Sequence, residues 1–154
     1  MSRYAENTRV SSEQSRAEIE RILSRYGADG FMYGWADQNA LIAFQMRERR
    51  IKFILPMPAK DLPEFVFTPA RRSRRSPDEQ LREWEQACRQ RWRALAIAIK
   101  AKLECVESGI TSFEEEFMAH IVLPNGKTVG SWMQPQIETS YKNGKMPPLL
   151  GGPV

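Results

Sequence analysis

SPDEQLREWEQACRQRWRALAIAIKAKLECVES, residues 76–108, reads as a single long helix. Ser76 caps it, Pro77 suits its first position, and Glu79 completes a Ser-x-x-Glu capping box. Asp78 and Glu79 place negative charge at the positive end of the helix dipole. The interior beyond Pro77 holds no Gly or Pro, and Gly109 is a natural stop. Leu81, Trp84, Cys88, Trp92, Leu95, Ile99, Leu103 and Val106 recur every three or four residues, which makes one continuous apolar stripe. From Ala94 to Ala101 nearly every residue is apolar, so that half is expected to be covered on several sides. Arg82, Arg89 and Arg93 lie along another face, Lys100 continues their line, and Arg91 sits to one side. Such a row reads either as a solvated face or as an anion-binding strip suited to nucleic-acid phosphates. Trp84 and Trp92 fall in the apolar stripe, which points to core packing rather than base stacking.

The segments before this helix alternate in a different way. A first helix is expected from Ser12 to Tyr26, capped through Ser11 with Gln14 or Ser15 with Glu18, apolar at Ile19, Ile22, Leu23 and Tyr26, and ended by Gly27. Three runs with period-two alternation follow. Phe31, Tyr33 and Trp35 share a face of the first, Ile42, Phe44 and Met46 of the second, and Ile51, Phe53, Leu55 and Met57 of the third. Turns at Asp37–Asn39 and at Glu48–Arg49 make this an antiparallel meander. The second turn projects Arg47, Arg49 and Arg50, with Lys52 close behind. Pro56 and Pro58 end the third strand, and residues 59–75 read as a basic, proline-containing linker whose end carries Arg71, Arg72, Arg74 and Arg75. That run is either a solvated loop or a phosphate clamp that orders on binding.

After the long helix, Thr111 with Glu114 suggests a short helical turn, Ala119–Leu123 a fourth strand, and Asn125-Gly126 a turn. Thr128 or Ser131 starts a last helix through Tyr141, with Pro135 tolerated only in its first turn. The reading is one α+β domain over residues 1–154: a three- to four-stranded antiparallel meander packed against the long helix, with shorter flanking helices. Ile42, Phe44, Ile51, Phe53 and Leu55 are expected to meet Trp92, Leu95, Ile99 and Leu103. Residues 1–10 and 145–154 are expected to be loosely ordered ends.

The 154 residues carry a formal net charge of +4, and 42% are hydrophobic, as expected of one soluble domain. No apolar run is long enough for a transmembrane helix, and the N-terminus lacks a signal-peptide core, so a cytoplasmic location is expected. Cys88 and Cys105 lie about 25 Å apart along one helix and cannot pair within the chain. Chemistry-bearing motifs are sparse. Gly126-Lys127-Thr128 resembles the end of a phosphate-binding loop, but Ile121 stands where that motif needs glycine. His120 lies in an apolar run, and Glu116 with His120 gives only two candidate metal ligands. No catalytic residue, metal site or cofactor is expected.

RYGADGFMYGW, RRIKFILPMP, the run from Arg89 to Pro124 and NGKTVGSWMQP resemble a family of small proteins encoded by bacteriophages and prophages. The resemblance implies a phage setting and supplies no catalytic residues. In element order, helix, meander and long helix, the chain is similar to the core of single-strand annealing proteins. That similarity implies a basic groove between sheet and helix for single-stranded DNA. A non-enzymatic nucleic-acid-binding protein serving recombination or replication is therefore expected, with contacts from Arg47, Arg49, Arg50, Lys52, Arg71, Arg72, Arg74, Arg75, Arg82, Arg89 and Arg93. The alternative is a phage-encoded module that binds and redirects a host protein. The oligomeric state is left open, and no membrane partner is expected.

Overall fold

The computed structural model describes residues 3–146, with side chains from Ser12 onward. The first helix, α1, spans Arg3–Arg25, so the helix begins well before the expected Ser12. Residues 3–11 contain neither Gly nor Pro, so nothing local stops the helix from extending through them, and Ser11 and Ser15 are interior residues rather than caps. Its C-terminus closes as expected. Gly27 takes φ 93°, Ala28 N–H donates to Leu23 O, and Gly27 N–H donates to Ser24 O. This Schellman arrangement satisfies the last carbonyls and buries Ala28.

Three strands follow in the order β1–β2–β3: β1 Asp29–Ala36, β2 Asn39–Met46 and β3 Arg49–Pro56. Both pairings are antiparallel. The register of β1 on β2 jumps between Asp29↔Gln45 and Met32↔Ala43, which sets Gly30 and Phe31 opposite Phe44. Gly30 sits at φ 63°, the signature of a glycine bulge. The bulge turns Phe31 and Tyr33 onto the face that carries Ile42, Phe44, Ile51 and Phe53.

Proline punctuation after β3 does not produce a structureless linker. A single helical turn, α2 (Pro63–Val66), drives Phe65 into a buried position. The basic loop behind it closes on itself: Arg72 N–H donates to Thr68 O, Thr68 N–H to Ser73 O, and Arg74 bridges Phe67. The long helix α3 spans Pro77–Glu107, with Ser76 Oγ accepting from Glu79 N–H and Gly109 at φ 78° beyond its end. A fourth helix, α4, covers Phe113–Phe117 and is capped by Ser112 rather than Thr111. Thr111 instead donates its hydroxyl to Glu116.

Residues 118–120 form a 3-10 turn, so His120 is not in a strand. The expected fourth strand is reduced to isolated bridges, Ile51↔Ile121 and Val122↔Thr128, around the Asn125-Gly126 turn. Thr128 then caps the last helix, α5 (Val129–Asn143), by accepting from Ser131 N–H. Pro135 therefore lies beyond the first turn, against expectation. Its ring removes the N–H that would have met Ser131 O.

One core holds the fold together. Ile42, Phe44, Ile51 and Phe53 from the sheet meet Trp92, Leu95, Ile99 and Leu103 from α3, joined by Ile19 and Leu23 of α1 and by Phe113 and Phe117 of α4. Leu55 packs at its margin, as does Trp84, whose Nε1–H donates to Pro58 O. The fold class expected from the sequence is the one observed. One detail differs: Ala94, Ile97, Ala98 and Ala101 are exposed, so the apolar half of α3 is covered on one side only. The sheet and α1 occupy that side; on the other, α2 reaches only as far as Ala94, which shares a groove with Glu64 and Phe65.

Candidate nucleic-acid interface

The direction of β3 relative to α3 decides where the basic groups lie. Arg91 of α3 donates to Pro56 O at the end of β3, while Arg49 at its start pairs with Glu114, beyond the C-terminus of α3. β3 therefore runs opposite to α3. The β2–β3 hairpin tip sits at the C-terminal end of α3, and the arginine loop sits at its N-terminal end. At 1.5 Å per residue the helix is about 46 Å long. The groups Arg47–Lys52 and Arg71–Arg75, expected to be adjacent, are thus held at opposite ends of it.

At the hairpin tip, several cations already have partners. Arg49 reaches Glu114 at 3.6 Å, the Arg47 guanidinium lies 5.4 Å above the Phe113 ring, and Lys52 Nζ donates to Gly126 O. Arg47, Arg49 and Arg50 line a recess of about 680 Å³ that also contains Asp29 and Glu48. The turn itself is unusual. Arg47 (φ 49°) and Glu48 (φ 64°) are both left-handed, in a two-residue hairpin normally built from Asn-Gly. The loop at the other end is divided as well. Arg75 Nη1–H donates to Glu64 O and, at longer range, to Phe65 O, which ties it to α2. Arg71, Arg72 and Arg74 are exposed.

Between these ends lies the α3 row. α1 runs parallel to α3. Arg16 lies over the Trp92 ring at 6.0 Å, and Ile22 shares a groove with Ala96 and Lys100 farther along. Arg89, Arg93 and Lys100 line this open groove of about 670 Å³ together with Gln14, Ser15, Gln86 and Gln90, and Glu18 is the one acidic residue among the described residues lining it. The helical rise spaces Arg89, Arg93 and Lys100 about 6 and 10 Å apart along the axis. Arg82 lies on the same line, nearer the loop.

Arg21 and Arg25 of α1 join Lys100 farther along the groove, opposite Glu104 and Glu107. The sequence reading passed over these two arginines. Their four-residue spacing was visible, but which face of α1 meets α3 was not. The acidic pair Glu104 and Glu107 interrupts the basic surface before the hairpin tip.

The remaining candidates are absorbed by the fold. Glu116 accepts from Lys102 Nζ and Thr111 Oγ1, so it is not held for a metal beside His120. His120 stacks on Phe53 at 4.1 Å, where burial, and secondarily Lys102, lowers its pKa. Asn125 Oδ1 accepts from Lys127 N–H, and Gly126 (φ 84°) completes the turn, so the Gly-Lys-Thr run is hairpin chemistry. Burial, with Tyr33 also close to Glu20, lifts the Tyr33 phenol to about 12, and its hydroxyl donates to Arg16 O.

Among the described residues no helix is long and apolar enough to cross a membrane. In comparisons with known proteins, the chain matches no family model, no curated protein and no solved structure.

Proposed function

We propose that the protein binds nucleic acid without catalysing a reaction on it, through the α1–α3 groove and the arginine loop at its head. The observation that carries this reading is the row Arg89, Arg93 and Lys100 along one open groove whose other lining is mostly polar, with Ile22, Ala96 and Ile97 as its apolar part. Guanidinium and ammonium groups in file neutralise a polyanionic backbone, and amide and hydroxyl side chains beside them add hydrogen bonds to phosphate and sugar. Trp92 is buried and Trp84 is engaged with Pro58 O, so neither offers a stacking platform. Binding then depends on backbone charge, favours a flexible single strand that can follow the groove, and reads little sequence. The hairpin tip, beyond Glu104 and Glu107, is a second and separate basic patch. The resemblance in sequence suggests a phage setting, and the similarity in element order to single-strand annealing proteins suggests a part in recombination or replication.

Fluorescence anisotropy with a labelled oligothymidine and a labelled duplex, titrated over salt, tests the proposal. Each phosphate contact contributes about 0.7 to the salt slope for a single strand, so Arg89→Ala/Arg93→Ala/Lys100→Ala lowers the slope by about 2. Arg47→Ala/Arg49→Ala/Arg50→Ala changes it less. Absence of binding in low salt, or identical slopes for wild type and the groove variant, rules the proposal out.

A second reading, a module that docks on a host protein, draws on α5. None of its residues is buried, and Ile137 and Tyr141 are exposed. A stoichiometric partner retained after nuclease treatment and lost in Ile137→Asp/Tyr141→Asp would favour it over the first.

A further inference from the structure

The charged stripe that α3 turns toward α1 changes sign along its length. At about 100° per residue, Arg89, Arg93, Glu104 and Glu107 all lie within about 40° of the direction of Lys100. The cations come first, and the two carboxylates follow about 6 and 10 Å beyond Lys100 along the axis. The facing wall changes as well. α1 presents Gln14 and Ser15 beside the arginines, but Arg21 and Arg25 across from the carboxylates. Glu18, Ile22 and Lys100 line both stretches, so the groove runs unbroken into an end recess of about 460 Å³. Opposite charges face each other there without closing on each other. Among the described residues, no ion pair or hydrogen bond joins the side chains of Arg21 or Arg25 to those of Glu104 or Glu107.

A strand laid along Arg89, Arg93 and Lys100 cannot continue past this point without setting phosphates against Glu104 and Glu107, which like-charge repulsion opposes. A strand that ends there avoids the repulsion. The two kinds of terminus differ in chemistry. A phosphorylated 5′ end presents one more anion to the carboxylates. A 3′ end presents a hydroxyl, a donor that a carboxylate accepts. The last nucleotide of a 3′ end is therefore anionic on one side and a hydrogen-bond donor on the other. The recess is basic on its α1 wall and acidic on its α3 wall.

We infer that the groove is closed at one end and holds the 3′-hydroxyl terminus of a single strand. Lys100, Arg21 and Arg25 take the last phosphodiester, and Glu104 and Glu107 accept from the terminal hydroxyl. The inference rests on the reading of this groove as a nucleic-acid site and adds the direction of the strand, which runs 5′ to 3′ from the arginine loop toward the C-terminus of α3. The carboxylates are exposed, so they act by rejecting a terminal or continuing phosphate more than by adding affinity.

Fluorescence anisotropy in low salt tests it, with 5′-fluorescein oligothymidines of about twelve nucleotides ending in a 3′-hydroxyl or a 3′-phosphate, and a circular oligothymidine as competitor. The 3′-hydroxyl strand is expected to bind at least about tenfold tighter than the 3′-phosphate strand, and the circle to compete at least about tenfold less well than an unlabelled 3′-hydroxyl strand. Glu104→Gln/Glu107→Gln is expected to erase both differences while 3′-hydroxyl binding persists on the cations. Arg21→Gln/Arg25→Gln is expected to weaken the 3′-hydroxyl strand at least about threefold. All four side chains are exposed, so circular dichroism of the variants stays that of wild type. Equal binding of the hydroxyl, phosphate and circular strands overturns the inference and leaves the groove a nucleic-acid site. So does discrimination that survives Glu104→Gln/Glu107→Gln, or binding indifferent to Arg21→Gln/Arg25→Gln. Absence of binding by every strand removes the nucleic-acid reading itself, and this inference with it.

Discussion

Replacing Glu48 by glycine is expected to stabilise the protein, although Glu48 lies in a basic cluster where its charge is favourable. The reason is the backbone. β2 and β3 are joined by two residues, with Met46 paired to Arg49, and both linking residues are left-handed. An L-residue with a Cβ pays roughly 1–2 kcal/mol for that conformation, and glycine does not. Against this stands glycine's larger loss of chain freedom on folding, about 0.5–1 kcal/mol. The Glu48 carboxylate is exposed, and its attraction to nearby arginines is worth a few tenths of a kcal/mol after screening.

The balance for Glu48→Gly is a gain of about 0.5–1 kcal/mol, a rise in Tm of about 1–4 °C for a chain of this size. Glu48→Ala removes the same carboxylate but keeps the Cβ, and alanine gives no relief of the left-handed strain. The difference between the two variants isolates the backbone term. Urea melts followed by tryptophan fluorescence in about 0.5 M NaCl, where surface charge is screened, should show a higher midpoint for Gly than for Ala at equal slope. A glycine variant no more stable than the alanine variant would refute the reasoning. Strain kept at this tip is consistent with Arg47 and Glu48 serving through their side chains rather than through the turn.

Gly130 offers the opposite sign. Alanine usually favours a helix over glycine, but a Cβ here would stand 2.9 Å from Ala119 O, so Gly130→Ala should lower stability by about 1–3 kcal/mol, read as a fall in Tm. The His120 pKa is lowered in the folded state, so the unfolded chain binds the proton more readily. Stability contributed by neutral His120 is complete above the ordinary value of 6.5 and is lost as pH falls through the folded pKa; His120→Phe should flatten Tm across pH 5–7.5. Burial, and next the charge of Glu85, pushes the Cys88 thiol up to about 11, whereas Cys105 is partly exposed. A disulfide reagent should therefore titrate one thiol in the native protein and two in urea, and Cys105→Ser should abolish the native reaction.

Local chemistry made much of this protein legible. Ser76 with Glu79, Gly27, Gly109 and Asn125-Gly126 mark boundaries because caps and left-handed positions depend on a few adjacent residues. The meander and the α3 stripe were equally plain, because periods of two and of three to four residues report which face is apolar. The same logic misplaced the start of α1. Serines followed by Gln or Glu look like caps wherever they occur, and only the continuing backbone shows that Ser11 and Ser15 are interior.

What the sequence alone determined was therefore the elements, their apolar faces and the identity of the α+β fold. The tertiary structure decided what those faces meet. An apolar run such as Ala94–Ala101 records hydrophobicity, not how many neighbours the fold supplies, and the sheet and α1 together cover only one side of it. The placement of charge was decided in the same way. Two-residue hairpins and the return of the chain through α2 make β3 antiparallel to α3, and that direction sends Arg47–Lys52 to one end of the long helix and Arg71–Arg75 to the other. Arg21 and Arg25 reach the groove because α1 lies parallel to α3. Relative direction between distant segments is a property of packing and leaves no local mark on the residues it brings together.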